Sequence, residues 1–285
     1  MQLIDLHTHS HYSDGNLSPR ELIDLAIASD IGIISITDHD TLLGNKTINF
    51  NHPGINIIPG IELSAKIDKG RMHILGYNID IQNEDLNKKM SELQTISVNS
   101  VLSVVEQIKR DFEIVLTHEE IKELFSTECN IGRPNIANIL VRRGIVTTSQ
   151  EAFDRYLNSA YEKIKTFGKG IDCEECIELI LKSGGIPVLA HPNTLKLDDM
   201  GLLKLIKELI CIGLAGIEVY HSSHTALETN HLLSVANKHN LLISGGTDYH
   251  GPITKPEVLL GTGIKGNIKI KSLSLIDELK KSSKC

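Results

Sequence analysis

The densest chemistry in the chain stands at its start. Leu3 to Gly15 reads LIDLHTHSHYSDG, an apolar run that delivers His7, His9 and Asp14 into a short polar loop. Side chains on an extended segment alternate with period two, so His7 and His9 share a face, and imidazole with carboxylate suits Zn, Mn or Fe. In a chain with 13 His, one such pair is weak evidence of a metal site. Repetition changes its weight. An apolar run carrying a ligand-type residue recurs six times: IISITDHD brings His39, INIIPGIELS Glu62, RMHILGY His73, GIPVLAHP His191, AGIEVYH His221, and LLISGGTDYH both Asp248 and His250. Singly, each run reads as a buried strand with a polar loop. Together they are hard to explain by packing alone.

These residues need elements that bring them to one place. Helical stretches lie between the runs, and strands alternating with helices predict parallel pairing through right-handed crossovers. Ligands offered from the ends of successive parallel strands are the arrangement of a (β/α) barrel, whose chemistry sits at the C-terminal rim. Ser18, Pro19 and Glu21 form a capping box that predicts the first crossover helix, with Leu22, Leu25 and Ala26 inward. From 83 to 169 the apolar spacing turns helical through Met90, Leu93, Val98, Val101, Val105 and Ile108, with a second helix start at Thr117 and Glu120. The expected organisation is therefore a barrel of residues 1–82 and 170–285, with a helical insertion of 83–169 over the rim as a substrate cap.

Motif by motif, the chain resembles the PHP (polymerase and histidinol phosphatase) family of metal-dependent phosphoesterases: His7, His9 and Asp14 first, His39 in TDHD, Glu62 in PGIELS with His73 following, His191 in AHP, and Asp248 with His250 in DYHG. Within the family it looks closest to the branch that removes the 3′-phosphate of 3′,5′-nucleotide bisphosphates and trims short RNA 5′ to 3′. That likeness rests on the insertion, on IGRPNIANILVRRG followed by EAFDRYL, and on GIEVYHSSH. The branch commonly has His after GRP; here Asn135 stands there.

The resemblance implies an α/β fold, a distorted (β/α)7 TIM-like barrel, and two or three divalent ions per chain, Mn first, with Zn or Fe compatible. It implies that His7, His9, Glu62 and Asp248 hold one ion, that Glu62 bridges to a second held by His73 and His191, and that Asp14, His39 and His250 hold a third. A water acidified between ions would attack phosphorus, Asp248 would accept its proton, and Arg133 and His221 would neutralise phosphate oxygens, His221 alternatively protonating the leaving ribose oxygen. An Arg fork at a helix start can clamp phosphate bidentately, although an arginine in a loop is most simply a surface charge. Lys163, with Lys165 and Lys169, is a further substrate-contact candidate, against the plainer account of a solvated helix end. Other PHP chemistry, such as histidinol phosphate hydrolysis, and a noncatalytic metal-binding PHP module are the alternatives; Arg133 argues against the first and the complete ligand set against the second.

Composition agrees with a single barrel carrying an insertion in 285 residues. With 29 Lys and Arg against 36 Asp and Glu, the formal charge of -7 disfavours nonspecific nucleic-acid binding, and 4% aromatic residues leave little for a long base-stacking track. A small phosphorylated substrate is expected, with no DNA duplex, no membrane and no obligate protein partner. The chain has no apolar leader or spanning run, so a cytoplasmic location is expected. Five scattered cysteines form no disulfide framework, and Cys173 and Cys176 read as first-turn packing of a helix capped by Asp172 and Glu175, feeding Ile177, Ile180 and Leu181 inward.

Overall fold

Each of the seven ligand-bearing runs is a strand in the computed structural model, which describes residues 2–67, 69–126, 132–164 and 171–282. Strands β1 (Leu3–Thr8), β2 (Ile31–Ile36), β3 (Asn56–Ala65), β4 (Met72–Tyr77), β5 (Ile186–Leu189), β6 (Gly216–His221) and β7 (Leu242–Gly246) lie side by side in chain order. The segment after β7 returns to β1: Asp248 N–H donates to His7 O at 2.8 Å and His9 N–H to Tyr249 O at 2.8 Å, so the sheet nearly closes into a barrel. Closure requires a glycine. A Cβ on Gly246 would stand 2.3 Å from His7 N and 2.5 Å from His7 Cβ. Gly246→Ala is expected to cost about 2 kcal/mol or more and lower Tm by about 4–8 °C in a thermal scan.

The all-parallel expectation fails at one strand. Strands β1 to β3 and β5 to β7 pair in parallel, but β4 runs antiparallel to both β3 and β5. Only residues 66–71 separate β3 from β4, whereas a parallel crossover needs about a dozen or more. The reversal has a functional consequence: the N-terminal end of β4 lies where its neighbours end, so His73 enters at the start of its strand and not at its end.

Helix α1 (Pro19–Ala28) opens on the expected capping box, Ser18 with Glu21, and buries Leu22, Ile23 and Ala26. The four-residue α2 (Leu43–Lys46) follows β2. The chain divides into two compact units, Met1–Lys88 with Lys169–Cys285, and Lys89–Gly168. Helix α3 (Glu84–Phe112) begins in the first and continues into the second. The second unit further contains α4 (His118–Ser126), α5 (Arg133–Arg142), α6 (Ser149–Ala152), a π-helical turn (Phe153–Leu157) and α7 (Asn158–Lys163). No strand occurs among its described residues. It has its own apolar core of Val101, Val104, Ile108, Ile136, Leu140 and Leu157. Thr117 and Glu120 cap α4 reciprocally, at 3.2 and 2.7 Å, placing His118 in its first turn.

In the first unit, α8 (Cys173–Lys182), α9 (Asp199–Cys211), α10 (Ala226–His239) and α11 (Ser274–Ser282) complete the helices. Helix α8 starts where expected, but the Asp172 carboxylate makes no cap hydrogen bond and lies 3.4 Å from Lys66 Nζ instead. Its buried face is Cys176, Ile177, Leu179 and Ile180, while Leu181 turns outward. Burial pushes the Cys176 thiol up, which opposes a reactive thiolate. Cys129 and Cys285 lie outside the described residues. No described helix is long and apolar enough to cross a membrane.

Candidate metal centre

Glu62 is the centre of the cluster. It is fully buried in β3, and its two oxygens face different partners: Oε1 lies 2.7 Å from His73 Nδ1 and 2.8 Å from His191 Nε2, while Oε2 lies 3.1 Å from His7 Nε2, 3.2 Å from His9 Nε2 and 3.1 Å from His39 Nδ1. Asp248 Oδ1 stands 3.1 Å from His9 Nε2 and 3.5 Å from both His7 Nε2 and His250 Nδ1. Asp14 Oδ1 is 3.2 Å from His250 Nε2, with His39 at 4.0 Å from its other oxygen. All nine residues expected as ligands are thus in one assembly. Four overlapping sets, His7–His9–Glu62–Asp248, His9–Asp14–His39–His250, His39–Glu62–His73 and His7–Glu218–His221, each keep their ligand atoms within 4.8 Å of one another.

The outer nitrogens of the rings decide what the inner ones can do. His7 Nδ1 donates to Glu218 Oε1 at 2.9 Å. His250 Nδ1 donates to the carbonyl of Asp248 at 2.8 Å. His191 Nδ1 lies 3.0 Å from Thr194 Oγ1, whose own hydroxyl hydrogen goes to a carbonyl, so Nδ1 carries the proton here too. Each of these rings therefore has its inner Nε2 available to a cation, the arrangement in which metal-bound imidazoles are held. His221 is built the opposite way. Its Nδ1 accepts the Ser223 backbone N–H at 3.1 Å, so in the neutral ring Nε2 carries hydrogen and faces Asp248 Oδ2 at 3.5 Å. In that tautomer Nε2 is a donor. Both ring nitrogens of His9 are buried without a hydrogen bond, an unfavourable state that a bound divalent ion would relieve. This donor set fits the ions the family resemblance implies.

Electrostatics follow from crowding. Burial alone would raise Glu62 and Asp248, but His39, His7 and His73 hold the first well below the usual carboxylate range, and His7 and His250 hold the second there. Burial pushes His39 down to about 3, so that ring is neutral and ready to bind. His9 is raised to about 9, because Asp248 and Glu62 outweigh its burial. A proton bound more tightly in the folded state stabilises fully below the free imidazole value of about 6.5 and is lost as pH rises through the folded value. Metal-free protein should therefore lose thermal stability between pH 6.5 and about 9 as His9 deprotonates. A divalent ion bound at His9 would displace that proton, so a rise in Tm on adding Mn should grow over the same interval in calorimetry after EDTA treatment. An increment that shrinks with pH would contradict this arrangement.

Two residues of the site have left-handed backbone. His191 has φ 22° and Asp248 φ 56°, conformations that a non-glycine residue holds only when its surroundings enforce them. The cluster opens into a cleft of about 580 Å³ lined by Asp14, His39, His73, His191, His221, Asp248 and His250, with Arg71, Lys196 and Lys255 among its basic residues. His7, His9 and Glu62 lie fully buried.

Several supporting residues escaped the sequence reading. Asp38 accepts from Ser10 N–H at 2.7 Å and from the Ser10 and Ser13 hydroxyls at 2.6 and 2.7 Å, bracing the loop that carries His9 and Asp14. Lys255 pairs with Asp248 Oδ2 at 2.6 Å. A carboxylate inside the run GIEVYH was the one local signal for Glu218, and nothing in local spacing marked Lys255.

In the second unit, Arg133 is the first residue of α5, its guanidinium 4.1 Å from the Tyr161 ring centroid and 5.5 Å from that of Phe153, with Nη1 3.3 Å from Asn158 Oδ1. Asn135 Oδ1 accepts the Gly132 N–H at 2.8 Å, so it caps this helix. Lys163 is paired with Asp111 at 2.7 Å. Lys165 and Lys169 lie outside the described residues.

Comparison with known proteins agrees with these features. The PHP domain family model matches residues 5–167. A 5′-3′ exoribonuclease of Haemophilus influenzae is 30% identical over 253 residues, covering 87% of this chain and 90% of the relative. A 3′,5′-nucleoside bisphosphate phosphatase of Chromobacterium violaceum is 28% identical, covering 88% of each chain. A solved structure from Bifidobacterium adolescentis, provisionally named a metal-dependent phosphoesterase, superimposes with TM-score 0.76 at 29% identity over 92% of both chains. With its family motifs gathered around Glu62 at the end of a nearly closed seven-stranded sheet, the chain belongs to the PHP family of metal-dependent phosphoesterases.

Proposed function

We propose that this protein hydrolyses the 3′-phosphate ester of 3′,5′-nucleotide bisphosphates, and by the same cut trims short RNA from its 5′ end. The observation that carries the metal-dependent part is the division of Glu62, one oxygen toward His73 and His191, the other toward His7, His9 and His39. Two positions sharing a carboxylate suit paired ions. His7, His9 and Asp248 would complete the first, His73 and His191 the second, and Asp14, His39 and His250 a third. Ions held there supply a water of lowered pKa and positive charge against the phosphoryl oxygens.

The remaining steps belong to side chains. Asp248 takes the proton of the attacking water. His221, with hydrogen on Nε2, donates it to the departing O3′. Arg133 holds the 5′-phosphate, its planar fork oriented by stacking on Tyr161. Cutting the bond to O3′ of a nucleotide held by its 5′-phosphate releases a nucleoside 5′-monophosphate, whether the 3′-phosphorus carries nothing more or the rest of an RNA. That common product unites the activities named for the two relatives. Lys163, engaged by Asp111, is left out of this proposal.

Product identity tests the reading. Mn-loaded protein given adenosine 3′,5′-bisphosphate should yield 5′-AMP and phosphate, resolved by chromatography, and 5′-phosphorylated short RNA should yield nucleoside 5′-monophosphates. Release of 3′-AMP would place the cut at the wrong ester and overturn it.

A further inference from the structure

We propose that Glu218 is a positioning residue that holds His7 and His191, histidines on opposite sides of the Glu62 carboxylate, in register with each other. It rests on the metal assignment above and on no particular substrate. Glu218 lies in β6, fully buried, and both of its oxygens are engaged. Oε1 accepts His7 Nδ1–H at 2.9 Å, and Oε2 accepts the backbone N–H of His191 at 2.7 Å. His7 faces Glu62 Oε2, and His191 faces Glu62 Oε1. One carboxylate thereby ties together the two halves that Glu62 separates.

A register shift in the pairing of β6 with β7, between Glu218 and Tyr220, makes this possible. One extra residue re-aims the strand. Glu218 and His221, three apart, thus both present atoms beside His7. The bond to His191 also fixes a residue at φ 22°, a conformation with little local preference of its own. Glu218 spends one lone pair of each oxygen on an N–H, and those two bonds, to the ring of His7 and the backbone of His191, are the ones the brace consists of.

Glutamine has the shape of glutamate but only one oxygen, and its NH2 group cannot accept a hydrogen bond. Glu218→Gln can satisfy His7 or His191 and must leave the other N–H facing an amide. Supporting partners of this kind typically govern metal affinity by about 10–100-fold. The experiment is Mn binding by equilibrium dialysis on wild type, Glu218→Gln and Glu218→Asp, beside Tm without metal and kcat at saturating Mn. The proposal expects the Mn midpoint of Glu218→Gln to rise by about 10–100-fold, with kcat partly restored by excess Mn. A lower metal-free Tm with an unchanged Mn midpoint would mean a merely structural role and overturn it. Should Glu218→Gln fail to fold, Glu218→Asp decides: it keeps the charge but is too short to span both donors, so its midpoint should also rise, and an unchanged midpoint overturns the proposal. Wild type that binds no Mn would instead overturn the metal assignment beneath it.

Discussion

Glu62→Ala is expected to lower kcat by at least about 10³-fold on every phosphate ester the protein accepts, with metal content falling in parallel. Five histidine nitrogens stand within 3.2 Å of its two oxygens. Removing it deletes the shared ligand and leaves a buried group of imidazoles without the negative charge that offsets them. Glu62→Gln keeps the shape and withdraws the charge, so it should be nearly as damaging. The assay is phosphate release on protein shown to be folded by circular dichroism, with metal measured on the same sample. Activity within tenfold of wild type would remove Glu62 from the centre.

Arg133→Ala should behave differently. Charge-assisted hydrogen bonds contribute about 1.5–3 kcal/mol, so losing a bidentate clamp should raise KM for the bisphosphate by about 10–100-fold. A nucleoside 3′-monophosphate has no 5′-phosphate to clamp and should lose less than about threefold. Arg133→Lys keeps the charge but neither the fork nor the same stacking on Tyr161, and should fall between. Equal losses on both substrates would sink the clamp assignment. The metal cluster would stand unaffected.

Much of this was legible from residues alone, because ligands at strand ends are written in local sequence. His7 and His9, His39, His191, and Asp248 with His250 follow apolar runs that became β1, β2, β5 and β7. Strand direction is not written that way. The run around His73 has the same composition as its neighbours, and only the short connection 66–71 reveals that β4 must reverse. Supporting residues were harder to read because their role comes from partners distant in sequence: Glu218 acts on His7, 211 positions away, and Asp38 on Ser10 and Ser13 in a preceding loop. Asp172 shows the converse. Its spacing to Glu175 suits a cap, yet its carboxylate lies beside Lys66, a residue from another part of the chain. Local pattern names candidates; tertiary neighbours decide their use.

The most direct test of metal-dependent cleavage at the 3′-phosphate is phosphate release from adenosine 3′,5′-bisphosphate, 3′-AMP, 5′-AMP and histidinol phosphate, measured after EDTA treatment and again after Mn is returned. The account predicts no release without metal, recovery with Mn, and strong preference for the bisphosphate. Release that survives chelation, or a preference for histidinol phosphate, would contradict it.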